Sequence, residues 1–112
     1  MENRFPNIDR SRTPAEILRE DFSEEFVTHM KNRILVGSRK YGPVCFNIKR
    51  VKMIKSALKR IDIYLETGNT EFLVDAANLL MIEFMYPMHP RAHFRATDDD
   101  ESPGVVGRHA GR

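Results

Sequence analysis

Four polar residues set into the most apolar run of the chain are its first candidates for chemistry. The run is Glu71 to Tyr86, EFLVDAANLLMIEFMY, and the four are Glu71, Asp75, Asn78 and Glu83. At about 100° per residue, Glu71, Asp75 and Asn78 fall close together on one side of a helix. Leu79 and Ile82 lie beside them, with Glu83 at the margin. Phe72, Leu73, Ala76, Ala77, Leu80 and Phe84 cover the other side, joined more loosely by Val74 and Met81. Carboxylates at i and i+4 beside an amide at i+7 are either salt-bridged to a neighbouring helix or hold a ligand.

A second group is basic. Arg39 and Lys40 are placed to meet a phosphate, and Tyr41 beside them can stack on a base. They open the stretch Ser38 to Lys49, SRKYGPVCFNIK, which Gly42-Pro43 punctuates and which has no helical period. It reads as a loop, and loops of that length in small domains are often functional. The alternative is a solvated basic turn with Tyr41 packed on the domain. Val44, Cys45, Phe46 and Ile48 suit a short extended segment. His89 and His93 have a spacing that brings two metal ligands together on a helix, but Pro90 lies between them, and a solvated tail fits better. His29 sits beside an apolar line and reads as a packed or half-exposed histidine. Cys45 is the lone cysteine. No internal disulfide is possible, the thiol reads as a packing residue, and a reducing, cytoplasmic setting is expected.

These residues need elements to position them. Thr13-Pro14-Ala15-Glu16 is a helix start, with Thr13 as cap, Pro14 at the first helical position and Glu16 closing a capping box. The spacing of Leu18, Phe22, Phe26, Met30 and Arg33 predicts one helix from 13 to 36, ended by Gly37. Acids crowd its first half and bases its second, which suits the helix dipole. Val51, Ile54, Leu58, Ile61 and Leu65 predict a second helix over 50–66. Lys55, Lys59, Asp62 and Glu66 line its outer side at i,i+3 and i,i+4 spacing, which exposed pairing explains at tenths of a kcal/mol per pair. Gly68 supplies a left-handed stop and Asn69 or Thr70 the next cap. A third helix then runs over 70–86 to Pro87, antiparallel to the second.

Length and composition fit one small domain with tails: an arm over 1–12, pinned by Phe5 and Ile8, a helical domain over 13–86, and a mostly irregular tail over 87–112 with room for a short helix within 89–96. The N-terminus lacks the apolar core of a secretory signal, and no apolar run approaches the roughly 20 residues that span a bilayer. Charge is unevenly spread. Lys31 to Arg60 holds ten bases and no acid, while Ile61 to Glu101 holds nine acids against Arg91 and Arg95. Such a block points to a polyanionic partner, or to neutralisation within the chain or across a dimer.

Three segments together resemble a known family. They are Phe26-x-x-x-Met30-x-x-Arg33-Ile34-Leu35 with Arg39-Lys40-Tyr41-Gly42, the second helix ending at Glu66-Thr67-Gly68-Asn69, and Leu73-Val74-Asp75-Ala76-Ala77-Asn78 with its apolar continuation. The chain resembles the small phage and bacterial MazG-like proteins of the all-α nucleotide pyrophosphohydrolase superfamily over roughly residues 22–86. That resemblance implies a helical bundle, usually oligomeric, that hydrolyses nucleoside triphosphates to monophosphate and pyrophosphate. It also implies Mg²⁺ held by an E-x-x-E pair on one helix and an E-x-x-D pair on the next. Asp75 matches the last aspartate and Asn78 the amide after it. Phe72 stands where a glutamate is expected, with Glu71 one residue earlier. The first pair has no match, and Asp62 with Glu66, or Glu20 and Asp21 with Glu24, stand in for it.

The expected fold is therefore all-α, a small bundle of three main helices completed by homodimerisation. Three functions follow. One is a nucleotide-binding, Mg²⁺-dependent pyrophosphohydrolase with Asp75, Glu71, Asp62 and Glu66 on the metal and Asn78, Arg39, Lys40 and Tyr41 on the substrate. The second is a catalytically silent relative that binds a nucleotide or a protein through the same helices. The third binds nucleic acid through the basic block, with salt-dependent affinity and little base selectivity.

Overall fold

A computed structural model describes residues 11–46 and 51–97. Among them all regular structure is helical: α1 (Pro14–Asp21), α2 (Glu24–Tyr41), a 3-10 turn (Val44–Phe46), α3 (Met53–Thr67) and α4 (Glu71–Met85). The chain divides into two compact units, the first of residues 1–23 with 95–112 and the second of Glu24–Phe94. The first carries α1, and the second carries α2, α3 and α4.

The single helix expected over 13–36 is two helices. α1 begins as the sequence predicts: Thr13 Oγ1 accepts from the Glu16 N–H at 3.1 Å, and the Thr13 N–H donates to Glu16 Oε1 at 2.7 Å. It ends at Phe22, whose backbone is extended (φ −129°, ψ 147°). Ser23-Glu24-Glu25 then provides a hydroxyl followed by two acids, a combination that favours a fresh helix start. Arg12 donates to Glu20 at 2.7 Å and to Asp21 at 3.0 Å, tying the entry of α1 to its last turn. Those hydrogen bonds, the one to Asp21 foremost, raise the Arg12 pKa above its ordinary value. Glu20 and Asp21 are thus engaged by a cation, and Glu24 lies beyond the break.

α2 does not stop at Gly37. It continues to Tyr41 and ends at Gly42, which has φ +81° and is followed by Pro43. Arg39, Lys40 and Tyr41 therefore sit on the last helical turn rather than in a loop. Two cations there complement the free carbonyls and the negative end of the dipole. Val44–Phe46 forms the 3-10 turn instead of an extended segment, and Cys45 is exposed rather than packed.

α3 and α4 form the most extensively packed pair, and α4 also packs on α2. Gly68 turns the chain with φ +73°, its N–H reaching the Tyr64 carbonyl at 2.7 Å. Asn69 Oδ1 accepts from the Glu71 N–H at 3.0 Å, so Asn69 and not Thr70 supplies the side-chain cap. The buried apolar residues are Met53 and Ala57 from α3, with Val74, Ala76 and Ile82 from α4. Asn78 is buried among them, while Leu80 and Phe84 are exposed. α4 is thus rotated away from the orientation its apolar pattern suggests, because its polar residues find partners on α2.

No helix forms over 89–96. The Met88 N–H donates to Glu83 Oε2 at 2.8 Å, and the Arg91 N–H to His89 Nδ1 at 3.0 Å, so Pro87 and Pro90 lie in a hydrogen-bonded irregular segment. No described helix is long and apolar enough to cross a membrane. Phe5, Ile8, Ile48, Lys49, Arg50 and the acidic run from Asp98 lie outside the described residues.

Two glycines should respond oppositely to alanine. Gly68→Ala forces a Cβ into the left-handed region and is expected to lose about 1 kcal/mol. Gly37 lies within α2, and a methyl group added there meets no atom within 4 Å. Gly37→Ala is therefore expected to gain roughly 0.5–1 kcal/mol. Urea denaturation reads both; changes of the same sign would contradict the helix boundaries.

Candidate functional site

The site is built from one face of α2 and one of α4. Met30 and Arg33 are three residues apart on α2, and Glu71, Asp75 and Asn78 follow one line on α4. Arg33 Nε donates to Asp75 Oδ1 at 3.0 Å and Nη2 to Asp75 Oδ2 at 3.2 Å. This is the bidentate guanidinium–carboxylate geometry. Nη1 lies 3.5 Å from Glu71 Oε2, so one cation serves both acids. The Asp75 side chain is 20% exposed, against 39% for Arg33 and 51% for Glu71. The hydrogen bond to Asp75 raises the Arg33 pKa, partial burial opposes it, and the charges of Asp75 and Glu71 add to the rise. A raised cation pKa stabilises the fold fully below the ordinary arginine value and is lost only as pH climbs through the folded one. The pair therefore contributes constantly across the neutral range.

One turn further on, Asn78 Nδ2 donates to the Met30 carbonyl at 3.0 Å. A carbonyl requires a donor, which fixes the amide orientation. Asn78 Oδ1 is left buried without a hydrogen-bond partner among the described residues.

Glu71, Asp75 and Asn78 thus come together as the sequence suggests, and around a cation on α2. The sequence does not single out Arg33 as their partner, because there it reads as one member of an apolar line. A lone cation on such a line, facing acids at i,i+4 on another helix, was the available signal. Asp62 and Glu66 stand exposed on α3. No three acidic, histidine or cysteine residues among those described are grouped to hold a metal ion. Mg²⁺ demands near-octahedral oxygen ligation at about 2.1 Å. Two α4 carboxylates turned onto a guanidinium do not fit that demand. His29 Nε2 contacts Glu25 Oε2 at 3.4 Å on the exposed side of α2.

Arg33 also lines two concavities. The smaller, about 340 Å³, is flanked by His29, Asn32, Asn69, Thr70 and Glu71. The larger, about 430 Å³, opens between the C-terminal half of α2, the start of α3 and the middle of α4. Ile34, Val44, Val51, Met53, Leu79 and Ile82 give it apolar walls, and Arg33, Ser38, Tyr41, Ser56 and Arg60 bring polar groups to them. No acid is among its lining residues. Of the expected substrate-binding residues only Tyr41, the one expected to stack on a base, lines it; Arg39 and Lys40, expected at the phosphate, are its neighbours on the last turn of α2. Arg60 and the two serines escape a reading of the sequence because they fall between the apolar and the charged faces of their helices.

Comparison with protein-family models, with curated proteins and with solved structures finds no match to this chain.

The Arg33–Asp75 pair can be measured by a double-mutant cycle. Each of Arg33→Leu and Asp75→Leu is expected to lose about 1–2 kcal/mol, and the double variant less than their sum by about 1 kcal/mol. Partial exposure keeps these figures below those of a fully buried pair. Additivity in urea denaturation would mean that the two helices are not coupled through this contact.

Proposed function

We propose that the chain is a MazG-like nucleotide-binding protein whose ligand enters the cavity between α2, α3 and α4. The observation that carries this is an acid-free cavity with Arg33 and Arg60 on an otherwise apolar lining that includes Tyr41. A nucleotide has both matching parts, phosphates for guanidinium groups and a planar base for apolar and aromatic walls. A volume of about 430 Å³ lies within the range of small-ligand sites. Arg39 and Lys40 add positive potential at the same end of α2. Hydrolysis of a nucleoside triphosphate to monophosphate and pyrophosphate is the catalytic extension of this proposal. Glu71 and Asp75 are the acids nearest to it through Arg33, and a metal ion would have to displace that arginine from them. The helical domain works as a homodimer in this proposal.

A second proposal, a catalytically silent interaction protein, draws on a different observation. Leu58, Leu65, Leu80 and Phe84 are exposed on α3 and α4, more apolar surface than a lone small domain usually leaves in water.

Thermal denaturation with a panel of nucleoside mono-, di- and triphosphates, with and without Mg²⁺, tests the first proposal. A bound nucleotide at about 100 times its Kd should add about 2.7 kcal/mol to stability. Arg60→Ala should weaken the effect at least tenfold in affinity, on the order of one charge-assisted contact. Pyrophosphate release that needs Mg²⁺ and disappears in Asp75→Ala would establish the hydrolase. Stabilisation without release would establish the silent binder. The nucleotide proposal fails if no member of the panel shifts the transition.

A further inference from the structure

α4 is apolar on three sides, and the one that carries Leu80 and Phe84 is left exposed, with Leu73 and Ala77 half-buried along it. Val74, Ala76, Asn78 and Ile82 are buried, and Asn78 reaches the Met30 carbonyl on α2, while Leu79 and Ile82 line the cavity that α2 and α3 share with α4. The remaining line is Leu73, Ala77, Leu80 and Phe84. Asp75, which binds α2, and Phe84 are about 180° apart on the helix. On α3 the matching line is Ile54, Leu58, Ile61 and Leu65, set beside the Met53 and Ala57 face that is buried. Counting outward from the Gly68–Thr70 turn, Leu65 is level with Leu73, Ile61 with Ala77, Leu58 with Leu80 and Ile54 with Phe84. Leu65 and Phe84 are 73% and 72% exposed. Two helices of 15 residues side by side present a face of roughly 400 Å². That is the size at which an exposed apolar patch marks a binding surface.

The charges beside this face say what covers it. Lys55 and Lys59 flank the N-terminal half of the α3 line, and Asp62 and Glu66 its C-terminal half. Among the described residues none of the four forms an ion pair. The apolar line itself reads nearly the same in both directions, with steps of four, three and four residues. A second α3 laid antiparallel therefore places Leu58 against Ile61 and Ile54 against Leu65, alternating as in an antiparallel coiled coil. It also brings Lys55 of each copy beside Asp62 of the other. A twofold axis generates both contacts at once, because an isologous interface must be complementary to itself.

We infer that the exposed face of the α3–α4 hairpin is covered by a second copy of this chain, with the two α3 helices antiparallel and Lys55 opposite Asp62 across the twofold. Four helices then enclose the layers, Leu58 and Leu80 of one copy meeting Ile61 and Ala77 of the other, large against small. This inference names the surface of the homodimer in the proposed function and rests on that part of it alone. The nucleotide site lies on the α2 side of the hairpin.

Sedimentation velocity on the full chain tests it, with circular dichroism to check helix content and nucleotide-dependent melting read on the same samples. The wild-type chain is expected to be dimeric at micromolar concentration, and Leu58→Glu to be monomeric with its helix content retained. Lys55→Glu and Asp62→Lys should each weaken the dimer roughly tenfold, since two symmetry-related pairs turn repulsive together. An equimolar mixture of these two variants should recover wild-type affinity as a heterodimer, and so should the double variant with itself. A chain that stays monomeric at hundreds of micromolar overturns the inference. So does a dimer that neither Leu58→Glu nor the charge reversals disturb. A loss of the nucleotide response with the dimer intact would count against the nucleotide site and not against this surface.

Discussion

The bidentate contact between Arg33 and Asp75 decides how the α2–α4 pair is assembled. α4 is apolar on nearly every side, so burial alone ranks its possible rotations poorly. Each orientation removes a similar amount of hydrocarbon from water, at roughly 25 cal/mol per Å². Polar groups are less tolerant. An aspartate and an asparagine turned into the α2–α4 interface need partners at fixed positions, and leaving them unpaired costs more than any one rotation gains. Arg33 and the Met30 carbonyl, one turn apart on α2, supply those partners at the same spacing as Asp75 and Asn78. The two contacts act as a register. They fix the rotation of α4, and with it the side left for α3 and the side left uncovered.

The parts of the fold that are legible in the sequence are those that local chemistry dictates. Thr13-Pro14 with Glu16, Gly68 with its positive φ, and the short connection it makes between α3 and α4 follow from capping and backbone sterics near the residue concerned, whereas α3 starts at Met53, after the expected residue 50. The break at Phe22 and Ser23 is hidden because the apolar line through Leu18, Phe22 and Phe26 keeps its phase across it. Periodicity reports a shared face, not an unbroken backbone. Gly37 misleads for the opposite reason. Glycine permits a left-handed stop without requiring one, and the helix runs on to the next glycine, where a proline follows.

In the site, the grouping of Glu71, Asp75 and Asn78 is legible because it depends only on 100° steps along one helix. Their partner is not, because Arg33 is 42 positions before Asp75 and no local rule joins them. The same limit applies to the cavity. Its polar groups come from two helices, α2 and α3, and each of Ser38, Ser56 and Arg60 is ordinary within its own. Asp62 and Glu66 show the converse. Their spacing imitates an acid pair, yet both stand exposed on α3 and meet no other acid cluster among the described residues, so pairing within one helix carries no information about convergence between helices.

Arg33 links the acids to the cavity, and that shared position has a chemical consequence. An arginine with five donors can satisfy Asp75 bidentately and still direct another N–H elsewhere. A phosphate in the larger cavity would approach a guanidinium already held in place by two carboxylates, so little side-chain entropy remains to be lost on binding. The same carboxylates offset part of the positive charge and would weaken the attraction. Arg60 lines the cavity with no acid among its lining partners, and it carries the uncompensated charge that Arg33 lacks. The division of labour is then between a positioned, half-neutralised cation on α2 and one on α3 that has no ion pair among the described residues. In the proposed nucleotide site the second would set the anion affinity, while the first keeps α4 in the rotation that forms the cavity wall.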